Sequence, residues 1–221
     1  MPRATTRKLV GTAVAVLAVA VLIGIYVSVW VGGPTPYRVP VTGNTAELTL
    51  QTVAAVGPKL SPAHPSWVSY LVREHGVWKR STVWTLPAHT LVHVTVYQYD
   101  GNSGLRNPFL AQARGIVGGQ FTVDGKKHSV IDPDNASHTF AIPELGILVP
   151  LEGVPDNAKN QCDEAPCTMA MAHRTITFSF RTGKPGHYRW QCFVPCAAGF
   201  YYGFGGPMQT IGYMDGFVNV V

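Results

Sequence analysis

Residues 186–196 read Gly-His-Tyr-Arg-Trp-Gln-Cys-Phe-Val-Pro-Cys. His187–Gln191 reads as a short strand, and it ends in two cysteines with three residues between them. A thiol pair handed by a strand to a loop suits either a disulfide or a metal. Two further stretches offer partners. Upstream, Asn135–Gly146 (NASHTFAIPELG) places His138 at the start of a strand. Downstream, Gly212–Val220 (GYMDGFVNV) sets Met214 just ahead of another. Thiolate, imidazole and thioether are the soft donors that select copper, and a weak axial Met tunes such a site for electron transfer.

The rest of the chain reads mostly as strands. Ala46–Val53 (AELTLQTV) alternates apolar and polar residues, as a half-buried strand does. Further strands are expected over Ser81–Thr85, Leu91–Tyr97, Gly119–Val123, His138–Ile142, Thr175–Phe180 and Gly216–Val220. Abundant Gly (23) and Pro (17) supply the turns between them, so the fold class is all-β, a sandwich or barrel. Pro65–Glu74 is the one good candidate for a short helix outside the N-terminus. Two longer loops remain, Gly101–Gly118 and Val149–His173, and the second carries Cys162 and Cys167.

From Leu9 to Val31 no residue is charged, a run longer than the roughly 20 residues that carry a helix across a bilayer. Arg3, Arg7 and Lys8 precede it, which by the positive-inside rule leaves the N-terminus cytoplasmic and the domain on the outer face, periplasmic or extracellular. A cleaved signal peptide is the rival; the run is long for one, and no small-x-small site follows it. Residues 1–32 are therefore expected to be a stub and single-pass membrane anchor, 33–45 a linker opening on Gly-Gly-Pro-Thr-Pro, and 46–221 the outer domain. The net charge of +5 includes those three cations; the remainder is close to neutral, with no electrostatic footprint for nucleic acid. An outer compartment permits disulfides, and Cys162 and Cys167, five apart in a polar loop, are expected to form one. Phosphate-binding glycine loops, H-E-x-x-H and a serine nucleophile elbow are all absent from the sequence.

In their order on an all-β chain, the three stretches resemble the cupredoxin superfamily. The segment His138–Gly146 and the Cys192-x-x-x-Cys196 spacing resemble subunit II of haem-copper cytochrome oxidases. That resemblance implies a Greek-key cupredoxin domain holding copper as the electron entry point of a respiratory complex, with no bond-making chemistry of its own. Its partners would be the oxidase catalytic subunit and a cytochrome c-type or other small electron donor. Carried over by motif, His138, Cys192, Cys196 and Met214 are the side-chain ligands, and Val194 supplies a backbone carbonyl.

The sequence departs from the pattern where the second histidine belongs, because position 200 is Phe and no histidine follows His187. At most one copper is therefore expected. Met208 competes with Met214 for the axial role; Met214 is preferred because Met-x-Gly precedes the terminal strand. The alternatives are a copper-free structural subunit with Cys192 and Cys196 oxidised, and an anchored copper carrier. Met169 and Met171 hint at copper delivery, while His89, His93, His173 and His187 read as structural or surface residues.

Overall fold

The computed structural model describes residues 3–31, 35–60, 66–196 and 205–221. Its chain divides into two units, Met1–Gly33 and Pro34–Val221.

The first unit is the helix α1 (Arg3–Ile25), extended by a π-helical turn over Tyr26–Val31. The 21 residues Lys8–Ser28 are long and apolar enough to cross a membrane. Leu9, Leu17 and Leu22 are all exposed and lie on different sides of the helix, which is thus apolar all round. Membrane anchors and signal sequences share this property.

The second unit is the expected β-sandwich. Its N-terminal strands are β1 (Tyr37–Arg38), β2 (Val41–Thr42), β3 (Thr45–Val53), β4 (Ser69–Glu74), β5 (Val77–Lys79), β6 (Val83–Leu86) and β7 (Leu91–Gln98). Then come β8 (Phe121–Val123), β9 (Lys126–His128), β10 (Ala136–Ile142), β11 (Ile147–Glu152), β12 (Arg174–Arg181), β13 (Gly186–Gln191) and β14 (Asp215–Val220). One sheet runs β1-β6-β14-β13; the other runs β5-β4-β3-β7-β12-β8-β9, with β2 on β3; β10 and β11 form a separate hairpin. Period-two patterning decides which side chains face inward. Ile176, Phe178 and Phe180 of β12 are buried beside Val92, Val94 and Val96 of β7, while His93 and Thr177 face outward or sideways. Between the layers Trp84 stacks on Trp190 at 4.6 Å, and Phe140 of the hairpin lies parallel to both. Burying each such ring contributes roughly 1.5–3 kcal/mol, which ties the three sheets together.

Three expectations are corrected here. The helix read over Pro65–Glu74 is instead the strand β4, antiparallel to β3 with Leu50 opposite Val72, and residues 61–65 lie outside the described residues. The pattern was ambiguous because both faces of β4 are apolar: Tyr70 and Val72 enter the main core, and Leu71 enters a second cluster with Val53, Tyr99 and the Cys162–Cys167 loop. Part of the expected linker 33–45 is sheet, since Tyr37 pairs with Trp84 and both Tyr37 and Val39 are buried. The loop read from Val149 actually begins inside β11, which pairs Pro150 with Thr139. Proline lacks the ladder N–H and argues against a central strand, but it is tolerated on an edge such as this.

Candidate metal centre

Backbone geometry delivers each donor. A register shift in the β10–β11 ladder between Ala136 and His138 marks a bulge, a device that re-aims a side chain, and His138 is fully buried. Cys192 follows the last residue of β13, and its N–H donates to Met214 O at 3.0 Å. Met214 N–H in turn donates to Pro207 O at 3.1 Å, so the approach to β14 is laced to the turn that carries Met208. The side-chain amide of Gln191 also donates to Met208 O. Thr139 pins the cysteine loop from the hairpin: its hydroxyl accepts from Phe193 N–H at 2.8 Å, and its own N–H points at Cys192 Sγ at 3.3 Å. Tyr70 completes this wall by donating to Thr139 O at 3.0 Å.

The donors converge. Cys192 Sγ lies 3.7 Å from Cys196 Sγ and 3.9 Å from His138 Nδ1. His138, Cys192 and Cys196 are one group whose ligand atoms all fall within 4.8 Å of one another. Two sulfurs each about 2.3 Å from a tetrahedral ion sit about 3.8 Å apart, and sulfur and nitrogen about 3.5 Å apart, so the spacing fits a shared ion. Val194 O is 3.5 Å from Cys192 Sγ. Met208 places its Sδ 3.1 Å from Cys196 Sγ, and the Met214 carbonyl accepts from Cys192 N–H. Both are fully buried. Phe200, where the oxidase pattern has its second histidine, lies outside the described residues.

Asp100, at the end of β7, was not foreseen. Its carboxylate lies 3.0 Å from His138 Nε2. A carboxylate only accepts, so Nε2 carries the hydrogen, and Nδ1 is the nitrogen facing Cys192. Burial opposes a charged imidazole, yet the hydrogen bonds to Asp100 and Cys192 hold the His138 pKa up at about 9. Burial would push the Cys192 thiol up, but Cys196 and His138 together draw it well below its ordinary value. Cys196, half-buried beside that thiolate, is pushed well above. These shifts favour a thiolate at Cys192 beside a charged His138. A thioether among the donors favours copper over zinc.

The structure joins Cys162 and Cys167 in a disulfide and leaves Cys192 and Cys196 as thiols.

No protein-family model matches the chain, and no curated protein does. Solved structures overlap it weakly. One is the metal-binding domain of the Cu(I)-exporting P-type ATPase CopA of Streptococcus pneumoniae D39, at 9% identity over 86% of this chain and 99% of that one, with a TM-score of 0.38. Another is rusticyanin, at 18% identity over 83% and 82% of the two chains, TM-score 0.33. Rusticyanin from Thiobacillus ferrooxidans overlaps at 15% identity over 90% and 92%, TM-score 0.30. Overlap of this extent defines neither a shared fold nor a shared ligand.

Proposed function

We propose that this chain is a cupredoxin-type copper protein that relays single electrons, holding one copper ion between His138, Cys192, Cys196 and Met208. The observation that carries the reading is the triangle of donors, with Cys192 Sγ at 3.7 Å from Cys196 Sγ and 3.9 Å from His138 Nδ1. Copper would supply the one-electron couple. The chain's own residues supply the shell, in which the Thr139 N–H and the Asp100–His138 hydrogen bond hold the donors in place between redox states.

The apolar helix is read as an uncleaved anchor with a cytoplasmic N-terminus, holding the domain on the outer face of the membrane. There it would serve as a subunit-II-like electron entry point, taking electrons from a cytochrome c-type donor and passing them to an oxidase catalytic subunit. The motif His138–Gly146 and the Cys192-x-x-x-Cys196 spacing support that reading.

The test is reconstitution of the reduced chain with copper, followed by metal counting and a visible spectrum. One copper per chain and a copper–thiolate band that disappears in Cys192→Ser are expected. A fully reduced chain that takes up no copper overturns the proposal in favour of a structural subunit.

A further inference from the structure

The four proposed copper donors are not equally sheltered. His138, Cys192 and Met208 are fully buried, whereas Cys196 keeps part of its surface open. Cys196 lines a pocket of about 280 Å³, together with Ala54, Trp67, Asp100 and Pro207. The Asp100 side chain is 28% exposed, and its carboxylate is the one charged group in that lining.

The lining is held in place from several sides. The Trp67 ring stands edge-on to Tyr213 with centroids 5.1 Å apart, and its carbonyl accepts from Val56 N–H at 2.8 Å. Pro207 belongs to the short helical turn Gly206–Gln209 that carries Met208. Asp100 is fixed by its two hydrogen bonds, to His138 Nε2 at 3.0 Å and from Gly101 N–H at 2.8 Å. An ion that reaches Cys196 Sγ from this pocket is already beside the other sulfurs, because Met208 Sδ lies 3.1 Å and Cys192 Sγ 3.7 Å from it. The volume is at the small end of ligand-sized cavities, enough for an ion with a small ligand still attached.

We propose that this pocket is the port through which copper(I) enters and leaves the centre, and that Cys196 is the first residue to take the ion. The inference rests on the copper reading above. A thiolate is a soft donor suited to copper(I), and the Asp100 carboxylate favours a cation over an anion in the pocket. Transfer is a ligand exchange with no change of oxidation state. The bond between copper(I) and its small carrier ligand breaks, a bond to Cys196 Sγ forms, and the thiol proton leaves with the carrier ligand or to water. Cys192, His138 and Met208 then close on the ion. A port differs from a ligand in what it controls: narrowing it slows entry and exit by the same factor and leaves the affinity unchanged.

The experiment starts with the full chain, reduced and metal-free, pulsed with iodoacetamide, and peptide masses locate the modified cysteine. Cys196 should react roughly tenfold or more faster than Cys192. Ala54→Leu places a larger side chain in the lining and should slow the Cys196 reaction roughly tenfold; Ala54→Val serves if the larger residue disturbs the fold. Copper(I), added without oxygen as its acetonitrile complex, is then exchanged with a chromogenic chelator. In the Ala54 variant uptake and release should slow together, roughly tenfold, with the dissociation constant within about twofold of the parent. Equal reaction of the two cysteines, a Cys196 rate unchanged by the Ala54 variants, or a change in affinity carried by one rate alone overturns the port. A parent chain that takes up no copper(I) overturns the copper reading, and the port with it. Normal uptake at an unchanged rate in the variant overturns the port alone.

Discussion

Asp100 holds His138 from behind: its carboxylate accepts the Nε2 hydrogen at 3.0 Å, and the opposite ring nitrogen faces Cys192. One carboxylate thereby fixes the ring's tautomer, its orientation and its charge. Asp100 is therefore a positioning residue for the proposed copper ligand, reached from the turn after β7 although the histidine belongs to β10.

The pair has a pH signature in the metal-free chain. The His138 pKa is raised from 6.5 to about 9, so the stability it contributes is complete below 6.5 and is lost as pH rises through about 9. Asp100 is lowered despite its burial, by its hydrogen bond to His138, so its contribution holds above the ordinary Asp value and fades as pH falls through the lowered one. Asp100→Asn should thus be less stable than the parent near pH 6, by less than the roughly 3 kcal/mol of the whole His138 shift, since Cys192 raises it too. The gap should close by about pH 10. Thermal unfolding at the two pH values checks this, and a gap that stays constant rules the ion pair out as its cause.

Met208 and Met214 make opposite predictions. Met208 meets Cys196 through sulfur, and the contact seen for Met214 is its carbonyl accepting the Cys192 N–H, which any residue offers. Met208→Leu keeps the volume and removes the thioether, so copper(I) affinity should fall roughly tenfold, about 1.4 kcal/mol. Met214→Leu should leave it within about twofold. Competition titrations with a copper(I) chelator decide, and the reverse ranking would restore Met214 as the axial ligand.

The Cys162–Cys167 bridge closes a short loop whose base Gln51 holds. Replacing both cysteines by Ala should cost about 2 kcal/mol by loop-closure entropy. The copper–thiolate band at Cys192 should survive, since the bridge lies in the second apolar cluster and not at the donors. Urea unfolding and the visible spectrum of the same variant test both halves, and loss of the band would implicate the bridge in the centre itself.

How far the sequence reached depends on how local each signal is. The alternation of Thr175–Phe180 and the cysteine pair after Gln191 are read within a few residues, and β12 and the Cys192 loop follow them. Asp100 was invisible because Asp-Gly after a strand is also a turn, and its Oδ1 does cap Gly101 N–H at 2.8 Å. Only the fold reveals that its other oxygen meets a histidine 38 positions on. The choice between Met208 and Met214 is hard to read for a similar reason: Met-x-Gly at Met214 is a local pattern, whereas the Cys196–Met208 contact spans 12 positions.

The glycine in that same Met-x-Gly pattern has its own structural reason, and it yields the sharpest test of the site's frame. A Cβ on Gly216 would run into Thr82 O and come within 2.6 Å of Trp190 Nε1, which itself donates to Thr82 O at 2.7 Å. Backbone and a buried indole cannot retreat as a flexible side chain can, so β14 would have to move off β6. Gly216→Ala should therefore destabilise the domain by about 3 kcal/mol, the upper end of overpacking costs. It should also speed copper loss, because the Cys192 N–H to Met214 O bond lies at the start of the displaced strand. Gly183→Ala is the control: its Cβ would meet only Leu145 Cδ2 at 3.6 Å, ordinary contact, and should cost under about 0.5 kcal/mol. Equal unfolding midpoints for the two variants would show that β14 and β6 do not pack against each other as closely as described.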